Sequence, residues 1–264
     1  MKMKILADFN PPSDWKSIYR IILKGDATID SINEKIQSIF SEVPKTYEKV
    51  NHMLTFGLDI LWRKRMVQQV LKKKPKSVLD VCTGTGETAV YLKKRTKAPI
   101  KIIAVDFTQA MIQIAAGKSD SHGIDFCLAD VKALPFDDNT FDAVTLSFAT
   151  RNLNIKRHLL IAAFSEICRV LKPGGVFYNL ETSQPKVDWI RFLFHKFIGL
   201  TVLPLGRRLS GSQKGYHYLA NTIPRFYSAD ELTAILLASG FSTVQYSQWM
   251  FGVAALHFSS KTRP

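Results

Sequence analysis

From Lys76 onward the apolar positions of the chain fall into short, nearly continuous runs. These lie at 77–81, 100–105, 124–128, 143–147 and 176–181. Runs of that length and character are strands covered on both faces. Between them, 87–94, 108–118 and 157–171 carry helical patterns, and a shorter helix is expected near Lys132. Lys172-Pro173-Gly174-Gly175 then stops the last helix and turns into the next strand. This alternation predicts an α/β fold, a mostly parallel sheet with helices on both faces. Upstream, Ile39, Phe40, Val43, Tyr47, Val50, Leu54 and Leu58 recur at helical spacing through 37–72, and Pro44 and Gly57 divide that stretch. Downstream, an aromatic-rich insert at 186–228 interrupts the rhythm. A helix at 229–239 and strands at 243–249 and 253–259 close the chain. No helix joins those two strands, so they form an antiparallel hairpin at the sheet edge.

The expected organisation is an appendage at 1–36, covering helices at 37–76, a nucleotide-binding core at 77–185, a substrate-lid insert at 186–228, and closing elements of the core at 229–264. The chain has 264 residues and is 46% hydrophobic, enough for one sizeable core. Cys82, Cys127 and Cys168 lie far apart without ligand spacing, which suits free thiols in a reducing compartment, and no metal is implied. The first residues lack the apolar run of a signal peptide, and no stretch of 18 apolar residues is free of charge. A cytoplasmic protein is expected, peripheral where it meets the inner face of a membrane. The net charge of +14 sits on the flanks: 15 basic against 8 acidic residues in 1–76, 12 against 11 in 77–185, and 9 against 3 in 186–264. Such flanks face anionic lipid, nucleic acid or plain solvent.

The chemistry concentrates where the first strand, Val78-Leu79-Asp80-Val81, meets Cys82-Thr83-Gly84-Thr85-Gly86-Glu87. Twenty residues past Gly86 the second strand ends in Asp106. Glycines let backbone N–H groups approach a ligand, and an acid at the tip of the next strand holds a ribose, so an adenosine-containing cofactor is expected. The glycine spacing also satisfies G-x-G-x-x-A, which suits a nicotinamide. Three further features tilt the choice: Asp80 ahead of the glycines, Asp130-Val131 after the third strand, and Phe141-Asp142-Ala143-Val144 opening a fourth strand whose following helix ends in Arg169-Val170-Leu171-Lys172-Pro173-Gly174-Gly175.

Together these resemble the class I S-adenosylmethionine-dependent methyltransferases. The resemblance implies a Rossmann-like, mostly parallel seven-stranded sheet with an antiparallel C-terminal edge hairpin, and S-adenosyl-L-methionine as cofactor. It implies that Gly84, Thr85 and Gly86 line the methionine part, Asp106 takes the ribose, Asp130 and Val131 flank the adenine, and Ser147 lies near the methyl group, with Asp80 facing the cationic ligand. Outside this core, residues 40–51, Leu54-Thr55-Phe56-Gly57-Leu58, Ser147-Phe148-Ala149-Thr150-Arg151-Asn152, Leu180-Glu181-Thr182-Ser183-Gln184-Pro185 and the segment around Tyr216-His217-Tyr218 resemble the ubiquinone/menaquinone C-methyltransferase family, the UbiE/MenG type. The departures are Glu48, Glu87, Thr182 and Asn221, where the family pattern has Asp, Asp, Phe and Glu.

The family implies C-methylation of a polyprenylated quinol, demethylmenaquinol to menaquinol. Another lipid or small aromatic acceptor is the alternative. Arg151 is expected to steady the ring oxyanion and Asn152 to orient its hydroxyl, with Tyr47 and Tyr218 as further hydrogen-bonding candidates. The expected partners are the lipophilic quinol, an anionic membrane surface touched through 189–200, and a second copy in a homodimer. Nucleic acid is not expected, for want of an aromatic–basic RNA motif.

Overall fold

The computed structural model describes Glu48, residues 51–210 and residues 220–262, with side chains described for all but 202–210. Tyr47, Tyr218, His217 and the 1–36 segment lie outside the described residues.

Seven strands form one sheet in the order β3-β2-β1-β4-β5-β7-β6. They are β1 (Ser77–Val81), β2 (Lys101–Asp106), β3 (Asp125–Leu128), β4 (Phe141–Ser147), β5 (Leu171–Thr182), β6 (Thr243–Trp249) and β7 (Ala254–Ser260). Pairings from β3 through β5 are parallel, and β7 runs antiparallel to both β5 and β6. The edge hairpin is therefore present, with its second strand against the core and its first strand outermost. Strand β5 starts five residues earlier than its apolar run. Leu171 pairs with Phe141 before a register shift, and Gly174 absorbs the irregularity at φ 76°.

The helices are α1 (Leu58–Lys72), α2 (Glu87–Arg95), α3 (Gln109–Gly117), α4 (Thr150–Leu153), α5 (Arg157–Val170), α6 (Asp188–Ser210) and α7 (Ala229–Ala238). Side chains alternate along each strand, so neighbours feed opposite faces. Leu79, Val81, Ile103 and Val105 join α5 and α7 in one core through Leu160, Phe164, Ile167, Leu232 and Leu236. Val78, Ile102 and Ala104 join α1, α2 and α3 in the other through Trp62, Met66, Val70, Leu92 and Ile112. The short helix expected near Lys132 does not form; residues 131–139 are turns and bends. Arg169 explains why, because its guanidinium donates to the carbonyls of Leu134 (3.1 Å) and Phe136 (2.8 Å) and pins that loop open.

Gly57 divides the N-terminal helical stretch as expected, with help from an unexpected neighbour. Gly57 N donates to His52 O (2.7 Å) and Phe56 N to Met53 O (3.1 Å), the paired bonds of a Schellman C-cap. The left-handed position of that cap is normally glycine's, but here Phe56 holds it at φ 51°. An L side chain there costs about 1–2 kcal/mol.

Candidate active site

Strands β1 and β4 are neighbours whose connections leave in opposite directions, so a crevice opens beyond their C-terminal ends. Both ends are bent sharply: Cys82 (φ 51°) and Phe148 (φ 56°) are non-glycine residues in the left-handed region. A cavity of about 440 Å³ occupies this crevice. Asp80, Gly84, Thr85, Asp106, Asp130, Val131, Ser147, Arg151 and Asn152 all line it, so one site gathers nine of the sequence-selected positions. Gly86 does not reach the wall. It caps α2 at φ 81°, and a Cβ there would lie 2.9 Å from Ala115 Cβ. Its role is the close approach of α2 to α3.

One end of the cavity is walled by carboxylates. Asp80 pairs in register with Thr145 and is 1% exposed. It accepts from Thr145 Oγ1 (2.6 Å) and Thr83 Oγ1 (2.5 Å). Burial pushes its carboxyl up to about 6, against the pull of the two hydroxyls and Arg63, and the negative charge of Asp106 adds to the rise. Asp106 accepts from the Gly84 amide (2.8 Å) and the Thr108 amide (2.9 Å), and burial raises it too. The glycine turn is thus strapped to the tip of β2. Asp130 accepts from Lys132 N (2.9 Å), which fixes the loop that carries Val131. Ser147 Oγ shares a hydrogen bond with Thr88 Oγ1 at 2.9 Å.

Another part of the lining is apolar: Leu54, Phe194, Phe197, Ile198 and Ile223 pack together there. Arg151 is buried in the cavity lining, and its Nε donates to Glu181 Oε1 at 3.1 Å. Glu181 is 1% exposed and also accepts from the Arg151 amide (3.3 Å) and from Thr182 N (2.8 Å). Asn152 Oδ1 is buried with no hydrogen-bond partner among the described residues.

An ion-pair network that sequence reasoning missed ties the N-terminal cover to the glycine turn. Arg63 NH1 meets Asp59 Oδ2 (2.7 Å) and Glu87 Oε2 (3.4 Å), and His52 lies between the same two carboxylates at 2.8 and 3.2 Å. Burial pushes Asp59 up, but the Thr55 hydroxyl, Arg63 and His52 outweigh it and hold it below the usual carboxylate range. Ligand-type atoms of His52, Asp59 and Glu87 lie within 4.8 Å of one another, yet Arg63 already supplies the cation. Glu48 adds a third tie, bonding Thr85 and, at 2.5 Å, Lys118. The i,i+4 spacing of Asp59 and Arg63 was a readable signal; their meeting with Glu87 was not. His257, by contrast, is structural, bonded at 3.0 Å to Ala229 O.

Residues 28–261 match the profile of the ubiE/COQ5 methyltransferase family. The chain belongs to that family. This ubiE/COQ5-family chain is 37% identical over 225 residues to the demethylmenaquinone methyltransferase of Thermus thermophilus, covering 84% of the chain and 100% of that relative. It is 32% identical over 249 residues to the ubiquinone/menaquinone biosynthesis C-methyltransferase UbiE of Geobacter sulfurreducens, covering 93% and 92%. A SAM-dependent methyltransferase of Thermotoga maritima shares the fold at a TM-score of 0.59 and 19% identity, over 85% of this chain and 99% of that one. The chain is a methyltransferase, and S-adenosylmethionine is its cofactor. The site fits that group. Asp80 and Asp106 are both buried carboxylates in the cavity lining, raised first by burial, and a cationic ligand beside them would favour their charged forms.

Proposed function

We propose that this methyltransferase converts demethylmenaquinol, a polyprenylated quinol, into menaquinol by C-methylation, as a step of respiratory quinone biosynthesis. The observation that carries this reading is the mixed lining of one cavity: buried carboxylates together with an apolar, aromatic wall and the buried Arg151 guanidinium. The names of the relatives support it. In the donor end, Asp80 and the Gly84–Thr85 turn hold the methionine portion, Asp106 the ribose hydroxyls, and Asp130 with Val131 the adenine. Ser147 lies beside the methyl group. Bound there, the cofactor supplies an electrophilic methyl on a positively charged sulfur.

The acceptor end has to generate and hold an aryl oxyanion. Arg151 stabilises that negative charge in a dry site, where a fixed cation is worth most. Glu181 locks the guanidinium in place. Asn152 Oδ1, an acceptor without a donor among the described residues, takes the bond of a ring hydroxyl and sets the ring orientation. The oxyanion pushes electron density onto the adjacent ring carbon. That carbon would take the methyl as the S–CH3 bond breaks and S-adenosylhomocysteine is released, and loss of the ring hydrogen as a proton would restore aromaticity.

Labelled S-adenosylmethionine offered with reduced and oxidised demethylmenaquinone tests the reading. Label enters only the reduced acceptor; equal transfer to the quinone, or none to either form, overturns it. In the same assay Arg151→Ala lowers turnover by roughly a hundredfold.

The outer side of α6 supports a membrane contact. Its inner side, Phe194, Phe197 and Ile198, closes the cavity, while Trp189, Phe192, Leu193 and Leu200 are all more than half exposed on another side. Lys196 Nζ lies 5.5 Å from the Phe192 ring centre, giving the apolar face a cationic fringe. Among the described residues no helix is long and apolar enough to cross a membrane. We therefore propose peripheral docking of this face on anionic lipid. Flotation with anionic vesicles at low salt checks it, and no binding there refutes it.

A further inference from the structure

A second cavity, about 300 Å³, adjoins the first and is lined by Met53, Leu54, Phe56, Phe197 and Thr201. Three of those residues, Leu54, Phe56 and Phe197, also line the active-site cavity, so the two spaces meet at a common wall. The Phe56 and Phe197 rings face each other there, centres 6.0 Å apart and tilted by 38°. Among the described residues the smaller cavity offers a ligand no free hydrogen-bonding side chain. Thr201 is its one polar residue among those described, and its hydroxyl donates back to Phe197 O at 2.6 Å. Phe56 and Met53 are 79% and 49% exposed, so the space opens to the surface.

Phe56 gives a second, independent pointer. It stands at the left-handed cap position that glycine fills without strain, and it exposes most of a phenyl ring to water. Both features work against stability and solubility. Strain of that kind clusters at functional sites, and two more of this chain's left-handed non-glycine residues, Cys82 and Phe148, line the active-site cavity. Gly57, the next residue, shows that the turn itself tolerates glycine.

We propose that Phe56 and Phe197 form the doorway of an isoprenoid groove, through which the acceptor's tail leaves the active-site cavity and lies against Met53, Leu54 and the methyl of Thr201. The inference rests on the quinol reading above and extends it: the head group is selected by Arg151 and Asn152, the tail by this side groove. Its occupant is one hydrocarbon chain covalently joined to a ring in the main cavity. Adjacency of the two spaces, and the lack of offered polar groups among the described residues, both favour that chemistry. Apolar surface buried along the groove then contributes binding that a tailless acceptor lacks.

The experiment compares kcat/KM for 1,4-naphthoquinol without a tail and for the same head group carrying two isoprene units. Wild-type protein, Phe56→Gly and Thr201→Asp are measured. The ratio of tailed to tailless kcat/KM is expected to fall about tenfold in both variants, the size of effect that losing a few buried methylene groups produces. The unfolding midpoint of Phe56→Gly stays level or rises, because glycine relieves the cap, so a folding defect cannot mimic the result. Affinity for S-adenosylhomocysteine stays at the wild-type value. If wild-type protein methylates both acceptors and neither variant changes the ratio, the groove is overturned and the quinol reading stands. If wild-type protein methylates neither, both fall together.

Discussion

Glu181→Gln removes one charge and almost no volume. The carboxylate it replaces is 1% exposed and accepts the Arg151 guanidinium, the Arg151 amide, the Thr182 amide and the Thr182 hydroxyl. A glutamine oxygen at the Oε1 position keeps three of those bonds. Its NH2 group then faces the Arg151 amide, donor against donor. The larger loss is electrostatic, because the Arg151 guanidinium keeps its charge in a site where only 6% of the side chain meets solvent. Removing one partner of a buried pair costs about 3–5 kcal/mol, and the retained bonds place this case at about 3. For a domain of this size that lowers the melting temperature by about 6–12 °C. Turnover falls as well, by roughly a hundredfold, because the guanidinium is no longer held where the ring oxygen needs it. Adding Arg151→Met to Glu181→Gln removes the guanidinium that Glu181 had neutralised, so the double variant is expected to melt above the single one while remaining inactive. Circular dichroism melts of the two variants, with methyl transfer measured in parallel, read both effects. A Glu181→Gln protein within about 1 kcal/mol of wild type, or a double variant whose losses simply add, would show that the pair is not the strut argued for here.

Three other outcomes follow from the donor end. Asp80→Asn stabilises the ligand-free protein while weakening S-adenosylmethionine binding. The raised carboxyl is neutral in folded and unfolded chains below about pH 4, and it costs about 3 kcal/mol of stability once the pH exceeds 6, so the gain seen at pH 7 shrinks as the pH falls toward 4. A gain that grows on acidification would reverse the assignment. Asp106→Ala strands the Gly84 and Thr108 amides, costs about 2–4 kcal/mol in urea unfolding, and abolishes calorimetric binding of S-adenosylhomocysteine; retained binding contradicts its place at the ribose. Gly86→Ala costs about 2–3 kcal/mol from the positive φ and the clash with Ala115, and Ala115→Gly recovers part of it; no recovery would mean that backbone strain alone is at work.

The chain's own order of residues determined the core of this molecule. Continuous apolar runs placed five parallel strands, because a strand buried on both faces has no polar alternation to hide it. Motifs spaced along the chain named nine residues that meet in one cavity, since each stands at or just past the C-terminal end of a strand and the sheet brings those ends together. Local signals misled where a long-range contact overrode them. Arg169 opened the loop near Lys132, and Phe141 recruited Leu171 into a strand. What only the tertiary structure decided is how the charges pair. Arg151 could as well have been a surface cation. Its partner is thirty residues away in sequence but next to it in space, because β4 and β5 run side by side. Glu87, Asp59, Arg63 and His52 come from two separate helical segments and interact only once α1 packs on α2. The doorway between Phe56 and Phe197 likewise joins residues about 140 apart. Periodicity records which face of an element is buried. It does not record which residue lies across the gap, and catalytic electrostatics depend on that.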